Sequence, residues 1–193
     1  PVDDSVEGST VETTDASGNE DTAIALDIDV TQLDTDGSET VSITLSDVPA
    51  GAMLTYVDGD GATQEIAVTD GSAELSAEQL NGLQITPPTD SNEDFQLGVA
   101  VTTTEADGGE SSTVTATLDV DVTGVADAPT ATVQDDSGTE DNWIQMHLDS
   151  ALGDTDGSET LTITISDVPE GALLAPGTAN GAGTWSVSAA DRP

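Results

Sequence analysis

The sequence has no cysteine and no lysine, and its 193 residues include one basic side chain, Arg192, and one histidine, His147. A nucleic-acid binder displaces counterions from phosphate with Lys and Arg, so that class is nearly excluded. Anionic membrane surfaces would repel the chain for the same reason. Without cysteine there is neither a disulfide framework nor thiolate chemistry, although this alone does not fix the compartment. Aromatic residues make up 2% and apolar residues 35% of the chain. Any core must therefore be small and built from Val, Ile, Leu and Ala, which is marginal unless something else adds stability. No apolar run is long enough to span a bilayer, so direct membrane insertion is not expected. The chain starts at Pro1 without a methionine or a signal-like apolar segment, and reads as part of something longer.

What the chain has in abundance is acid: 39 Asp and Glu, for a formal charge of −38. Self-repulsion on this scale opposes compaction, and divalent cations are its natural remedy. The densest acidic motif is Asp34-Thr35-Asp36-Gly37-Ser38-Glu39-Thr40, which recurs unchanged at Asp154–Thr160. Calcium takes six to eight oxygen ligands in flexible geometry. Asp34, Asp36 and Glu39, with Asp154, Asp156 and Glu159 in the second copy, supply such oxygens around a glycine that permits a sharp bend. The spacing is not that of an EF-hand. A plain Asx-type turn is the alternative reading.

Apolar residues alternate in a period of two along Ile24–Val30, Val41–Leu45, Phe95–Val101 and Val114–Val122, the pattern of half-buried strands rather than of a disordered acidic chain. Met53–Val57 and Gln64–Thr69 read as a hairpin around Asp58-Gly59-Asp60-Gly61. Ser76–Leu80 reads as one helical turn, and Leu83 and Ile85 start a strand stopped by Pro87-Pro88. About seven strands at this spacing predict an all-β fold, a β-sandwich.

Gly18–Leu54 matches Gly138–Leu174 without a gap, at more than half of the positions. Tandem copies of this length predict an array of β-sandwich repeats whose partners are neighbouring repeats of the same chain. Residues 1–17 read as a polar linker or first strand, 18–125 as a complete repeat, and 126–193 as a second, incomplete repeat, truncated or split. Glu20-Asp21 and Glu140-Asp141 precede the first core strand of each copy. With the joint residue Asp127, and Glu105 and Asp107 from an acidic loop, they are candidates for an interdomain calcium site at one end of the sandwich. Asp58 and Asp60 are explained by the hairpin, and Asp119 and Asp121 by an outward strand face.

No enzyme is visible. His147 falls on an outward strand position, the serines lack a base or nucleophile motif, and the acidic pairs lie in turns without an aromatic platform for sugar. Trp143 and Trp185 have no aromatic counterpart in the first copy and read as core or edge cover.

Several motifs together resemble the tandem repeats of giant RTX-type adhesins of Gram-negative bacteria, which have cadherin-like or immunoglobulin-like folds. They are Glu-Asp before an alternating strand, Asp-Thr-Asp-Gly-Ser-Glu-Thr, Ser-Asp-Val-Pro-x-Gly-Ala-x-Leu, Leu83-Gln84-Ile85-Thr86-Pro87-Pro88, and Val-Ala-Asp-Ala-Pro at 125–129. The resemblance covers nearly the whole chain. It implies a Ca²⁺-rigidified, monomeric extender on the cell surface, exported by a type I system and serving adhesion or biofilm formation. It also implies that Asp34, Asp36 and Glu39 with their second-copy matches, and Glu20, Asp21 and Asp127, are calcium ligands. The broken second copy departs from the pattern, as it would where a ligand-binding domain is inserted into a split extender. The alternative is a calcium-dependent carbohydrate- or peptide-binding domain in its own right.

Overall fold

A computed structural model describes residues 6–33, 39–106, 109–154 and 157–188. The chain divides into two compact units, Pro1–Val125 and Ala126–Pro193. All of the regular structure described is β, apart from one 3₁₀ turn.

Unit 1 is a β-sandwich. Its strands are β1 (Ser9–Thr14), β2 (Ala16–Asn19), β3 (Ile24–Ala25), β4 (Asp27–Gln32), β5 (Glu39–Ser46), β6 (Met53–Val57), β7 (Thr63–Ile66), β8 (Ala73–Leu75), β9 (Gln84–Thr86), β10 (Phe95–Glu105) and β11 (Ser111–Thr123), with the 3₁₀ turn at Ala77–Leu80. One sheet has the order β2-β11-β10-β5-β8, and a second the order β3-β9-β6-β7, with β1 and β4 paired beside them. β2 runs parallel to β11, while the other strand pairs of the unit are antiparallel.

The alternation in the sequence becomes the two faces of these strands. Ile43 and Leu45 on β5, Leu97, Val99 and Val101 on β10, and Leu118 and Val120 on β11 all point into the core, with Leu54 and Ile85 from the opposite sheet. The polar residues between them face outward. β8 has no strong sequence signal, being three residues long, yet it pairs with β5 through Ile43 and Leu75. The segment expected as a linker or first strand supplies β1 and β2, and β1 pairs with β4 along six positions.

Unit 2 contains β12 (Thr130–Val133), β13 (Leu148–Ala151), β14 (Thr162–Ile165), β15 (Thr178–Gly181) and β16 (Thr184–Ser188). Its two sheets have the orders β12-β13 and β14-β16-β15. The β12–β13 pair repeats β1–β4 in the same register, since Thr130 faces Ala151 as Thr10 faces Thr31. β16 takes the place of β8: Ile163 faces Val187 as Ile43 faces Leu75. The turn before it is also kept, with Val168 N–H donating to Gly183 O as Val48 N–H donates to Gly71 O. Among the described residues, no strand of unit 2 corresponds to β10 or β11.

Candidate cation sites

Unit 1 has no lysine, arginine or histidine anywhere in its sequence. Its carboxylates are nevertheless not confined to the surface: Glu20 is 3%, Glu39 9% and Glu105 3% exposed. A buried carboxylate is costly unless it is paired or coordinates a metal. These three lie at two separate ends of the sandwich.

At the first end, β2 runs alongside the last residues of β11 and stops in a turn that carries Glu20 and Asp21. Glu20 N–H donates to Thr123 O. One oxygen of its side chain, Oε1, accepts the Val125 N–H. The other, Oε2, is buried with no hydrogen-bond partner. Asp21 has φ 55° and Asp90 φ 54°, left-handed conformations that Asp tolerates and that fold both turns tightly. Asp21 Oδ1 accepts the Asp90 N–H at 3.1 Å, and the two carboxylates come within 4.8 Å of one another. Asn92 Nδ2 and Glu20 Oε1 both crowd Gly124, lying 3.1 and 3.6 Å from where a Cβ there would sit. Asp94 Oδ1 accepts the Val122 N–H at 2.7 Å, fixing the neighbouring chain.

At the other end, Glu39 and Glu105 sit directly opposite each other on the paired β5 and β10. Both belong to the core-facing rows, beyond Ile43–Val101 and Val41–Thr103. Like charges so placed on one face are destabilising without a cation between them. Glu39 Oε1 accepts the Glu7 N–H at 3.3 Å, and its Oε2 accepts from Gln32 Nε2 at 3.2 Å. Glu105 Oε1 accepts the Ala106 N–H. Asp34, Asp36 and Asp107 fall outside the described residues.

This placement corrects one sequence expectation. Glu105 does not join Glu20 and Asp21. β10 runs ten residues from Phe95, whose partner Val120 also pairs with Ala16 of β2, to Glu105, roughly 33 Å away at strand rise. Glu105 instead faces Glu39 of the Asp34–Thr40 motif at the other end.

In unit 2 the second kind of end recurs. Asp127 stands where unit 1 has Glu7, and its N–H donates to Glu159 Oε1 at 2.6 Å, as Glu7 N–H does to Glu39. Glu159 Oε2 is buried without a hydrogen-bond partner. Asp154 is 2% exposed, and its Oδ2 accepts from Ser158 Oγ at 3.2 Å. Gly153 packs against Asp127, whose Cβ is 3.2 Å from the position a glycine Cβ would take. Asp156 falls outside the described residues. The first kind of end does not recur: Glu140 and Asp141 are both exposed. Asp141 keeps the left-handed turn, φ 61°, without the burial.

The donors at these ends are carboxylates, with the carboxamides of Asn92 at one and Gln32 at the other. An all-oxygen set of this kind suits a hard cation of the calcium type, and the lack of thiolate and imidazole disfavours zinc or copper. Asp90, Asn92 and Asp94 escaped sequence reasoning because they lie in a plain polar turn after Pro87-Pro88. Their only signal is the density of acid and amide there.

The other acidic residues have local explanations. Asp58 Oδ1 accepts the N–H groups of Asp60 and Ala62, and Oδ2 accepts from Gln64 Nε2. The Ala62 N–H, then Gln64, holds its pKa below the ordinary 3.8. Asp119 is exposed and accepts from Gln96. His147 is exposed and pairs with Asp136 at 2.6 Å. Trp143, expected to cover core or edge, is instead 72% exposed, at the position of the exposed Ala23. Trp185 is half-buried against Gly177 and Leu174. No protein-family model and no curated protein matches this sequence.

Proposed function

We propose that this chain is a calcium-rigidified extender of a bacterial cell-surface adhesin, a non-enzymatic spacer that projects a distal ligand-binding region. The observation that carries the reading is the burial of Glu20, Glu39 and Glu105 in a unit that contains no cationic side chain of its own. A cation from solution would supply the missing countercharge, and the oxygen-only donors suit a hard ion such as calcium. Glu20, Asp21 and Asp90 would hold it at one end. Glu39 and Glu105 would do so at the other, with Asp34, Asp36 and Asp107 of the adjoining loops. Asp127, Asp154 and Glu159 would be the corresponding ligands in unit 2, and the repeated motif adds Asp156 as a candidate.

When bound, the ion neutralises carboxylates that otherwise repel one another. Because it binds the folded state, stability and stiffness follow its concentration. The repeat architecture, the acidic surface and the motif resemblance support a secreted, extracellular setting with export by a type I system. An array of such units is stiff only where calcium is plentiful, as it is outside the cell.

The test is calcium titration by calorimetry together with small-angle scattering. The proposal expects saturable binding of more than one ion per chain and a scattering profile that becomes more extended and less flexible in calcium. Absence of saturable binding, with the same scattering profile in chelator and in calcium, would overturn it.

A further inference from the structure

The chain has five asparagines, and two of them, Asn81 and Asn180, are followed by glycine. Asn19, Asn92 and Asn142 precede Glu20, Glu93 and Trp143, whose side chains hinder the peptide nitrogen that follows each asparagine. In an Asn-Gly step no side chain shields that nitrogen, and it can attack the carboxamide before it. The two steps are equivalent in sequence, Leu-Asn-Gly-Leu in one unit and Ala-Asn-Gly-Ala in the other. The structure separates them.

Asn81 closes the 3₁₀ turn of unit 1 and is held at three points. Its N–H donates to Glu78 O at 3.3 Å, and its carbonyl accepts the Val57 N–H at 3.0 Å. Its Nδ2 donates to Val57 O at 3.0 Å. Its backbone is extended, with φ −68° and ψ 113°. Closing a ring between the next nitrogen and the carboxamide requires a large rotation of ψ, which would break this clasp on β6. Gly82 is packed as well: a Cβ there would lie 2.8 Å from Val57 Cγ2.

Asn180 is the extra residue of a β-bulge. Ala179 faces Trp185 and Gly181 faces Thr184, which leaves Asn180 out of the ladder. It is exposed. Gly181, Ala182 and Gly183 then turn the chain with φ 90°, 51° and 75°. A Cβ on Gly181 would meet nothing within 4 Å. Among the described residues, only Ser186 Oγ holds the carboxamide, by accepting from Nδ2. Bulge and turn both belong to the β15–β16 hairpin itself.

We propose that Asn180-Gly181 is a self-modifying site, at which the folded chain converts asparagine to aspartate and isoaspartate, and that the fold holds Asn81-Gly82 inert. The Gly181 nitrogen attacks Asn180 Cγ. The N–Cγ bond forms, the Cγ–Nδ2 bond breaks, and ammonia leaves with the Gly181 proton. Water then opens the succinimide at one carbonyl or the other. One opening gives aspartate; the other gives isoaspartate, whose main chain runs through the former side chain. Either product adds a negative charge to unit 2. Isoaspartate also lengthens the main chain by a methylene, at a bulge that already carries an extra residue. The same change at Asn81 would put a carboxylate against Val57 O and unfasten the turn from β6. None of this depends on the cation sites.

The test is peptide mapping by mass spectrometry after incubation of the full chain in warm, mildly alkaline buffer, folded and in concentrated urea. Cleavage after glutamate separates the steps, since Asn81 falls in fragment 79–93 and Asn180 in 171–193. Asn180 is the only amide side chain of its fragment, so an amide-to-acid mass gain there identifies it without a variant. In the folded chain, conversion at Asn180 should be at least about tenfold faster than at Asn81, which must wait for local opening. In urea the two rates should fall within about threefold of each other, because the fold no longer distinguishes them. Equal rates in the folded chain, faster conversion at Asn81, or no conversion at Asn180 would overturn the proposal. A gap of the same size in urea would also overturn it, by assigning the difference to sequence rather than to the fold.

Discussion

Residues 18–54 and 138–174 share more than half of their positions, and they end in different physical states. In unit 1, Ile24–Ala25 is β3 and Ala16–Asn19 is β2. In unit 2, the equivalent residues 136–139 and 144–145 carry no strand and are exposed. The turns are kept between the copies, down to the left-handed Asp21 and Asp141 and the left-handed Asp47 and Asp167. What differs is the pairing partner. β2 exists because β11 runs beside it, and β3 because β9 does. Turn geometry is therefore written locally, whereas strand formation and burial depend on distant segments. Among the described residues of unit 2, Val187 is the one buried apolar side chain.

The largest effect should come from the core. Leu45→Ala removes a side chain with no exposed surface and should cost about 2–5 kcal/mol. Ile165→Ala, at the same repeat position but half-buried, should cost about 1 kcal/mol or less. Urea unfolding of both variants measures this, and equal losses would break the comparison. Next come the Glu-Asp pairs. Glu20→Gln should remove much of the calcium-dependent stabilisation of unit 1, about 2.7 kcal/mol for one ion at a hundredfold excess over its dissociation constant. Glu140→Gln, at an exposed site, should change stability by no more than about 0.5 kcal/mol with or without calcium. Melting curves of the two variants in calcium and in chelator separate the cases.

Much of unit 1 was legible before its structure. The hairpin pattern places β6 at its observed bounds, and the alternating runs coincide with β4, β5, β10 and β11, because period-two burial is a local property of a strand with one face on the core. The 3₁₀ turn at Ala77–Leu80 followed from Ser76, whose N–H is bonded by Gln79 Oε1. β8 and β2 were not legible, since three or four residues in a polar setting acquire strand geometry only from their neighbours. The same reasoning explains the sites. Glu20, Glu39 and Glu105 were recognisable as acid next to strands, but their division between two ends depends on strand length and direction. Asp90 enters only because its turn folds back onto Asp21. Trp143 departs from expectation because an aromatic residue in a strand-like run suggests burial, whereas its position faces outward in both copies.

A smaller effect concerns the shared glycine. Gly18→Ala would drive a methyl group into the buried Ile24 and should cost about 1–3 kcal/mol. Gly138→Ala meets Ile144 equally closely, but that side chain is exposed and free to move, so the loss should stay under about 1 kcal/mol. Chemical unfolding of the pair checks whether burial rather than local geometry sets the cost. The smallest effect is a pH dependence peculiar to unit 2. The hydrogen bond from His147 holds the Asp136 pKa below its ordinary 3.8. A depressed carboxyl contributes stability above that ordinary value and loses it as pH falls through the folded-state pKa. Titration of Asp136 by NMR should give a midpoint below 3.8, returning toward 3.8 in His147→Ala.

The central claim is that unit 1 closes around carboxylates which only an external cation neutralises. Differential scanning calorimetry of the full chain in millimolar calcium and in chelator addresses it directly. The account predicts that the melting transition of unit 1 falls by about 10 °C or more when calcium is removed, and that it rises steadily with calcium concentration. A transition at the same temperature in chelator and in calcium would contradict it.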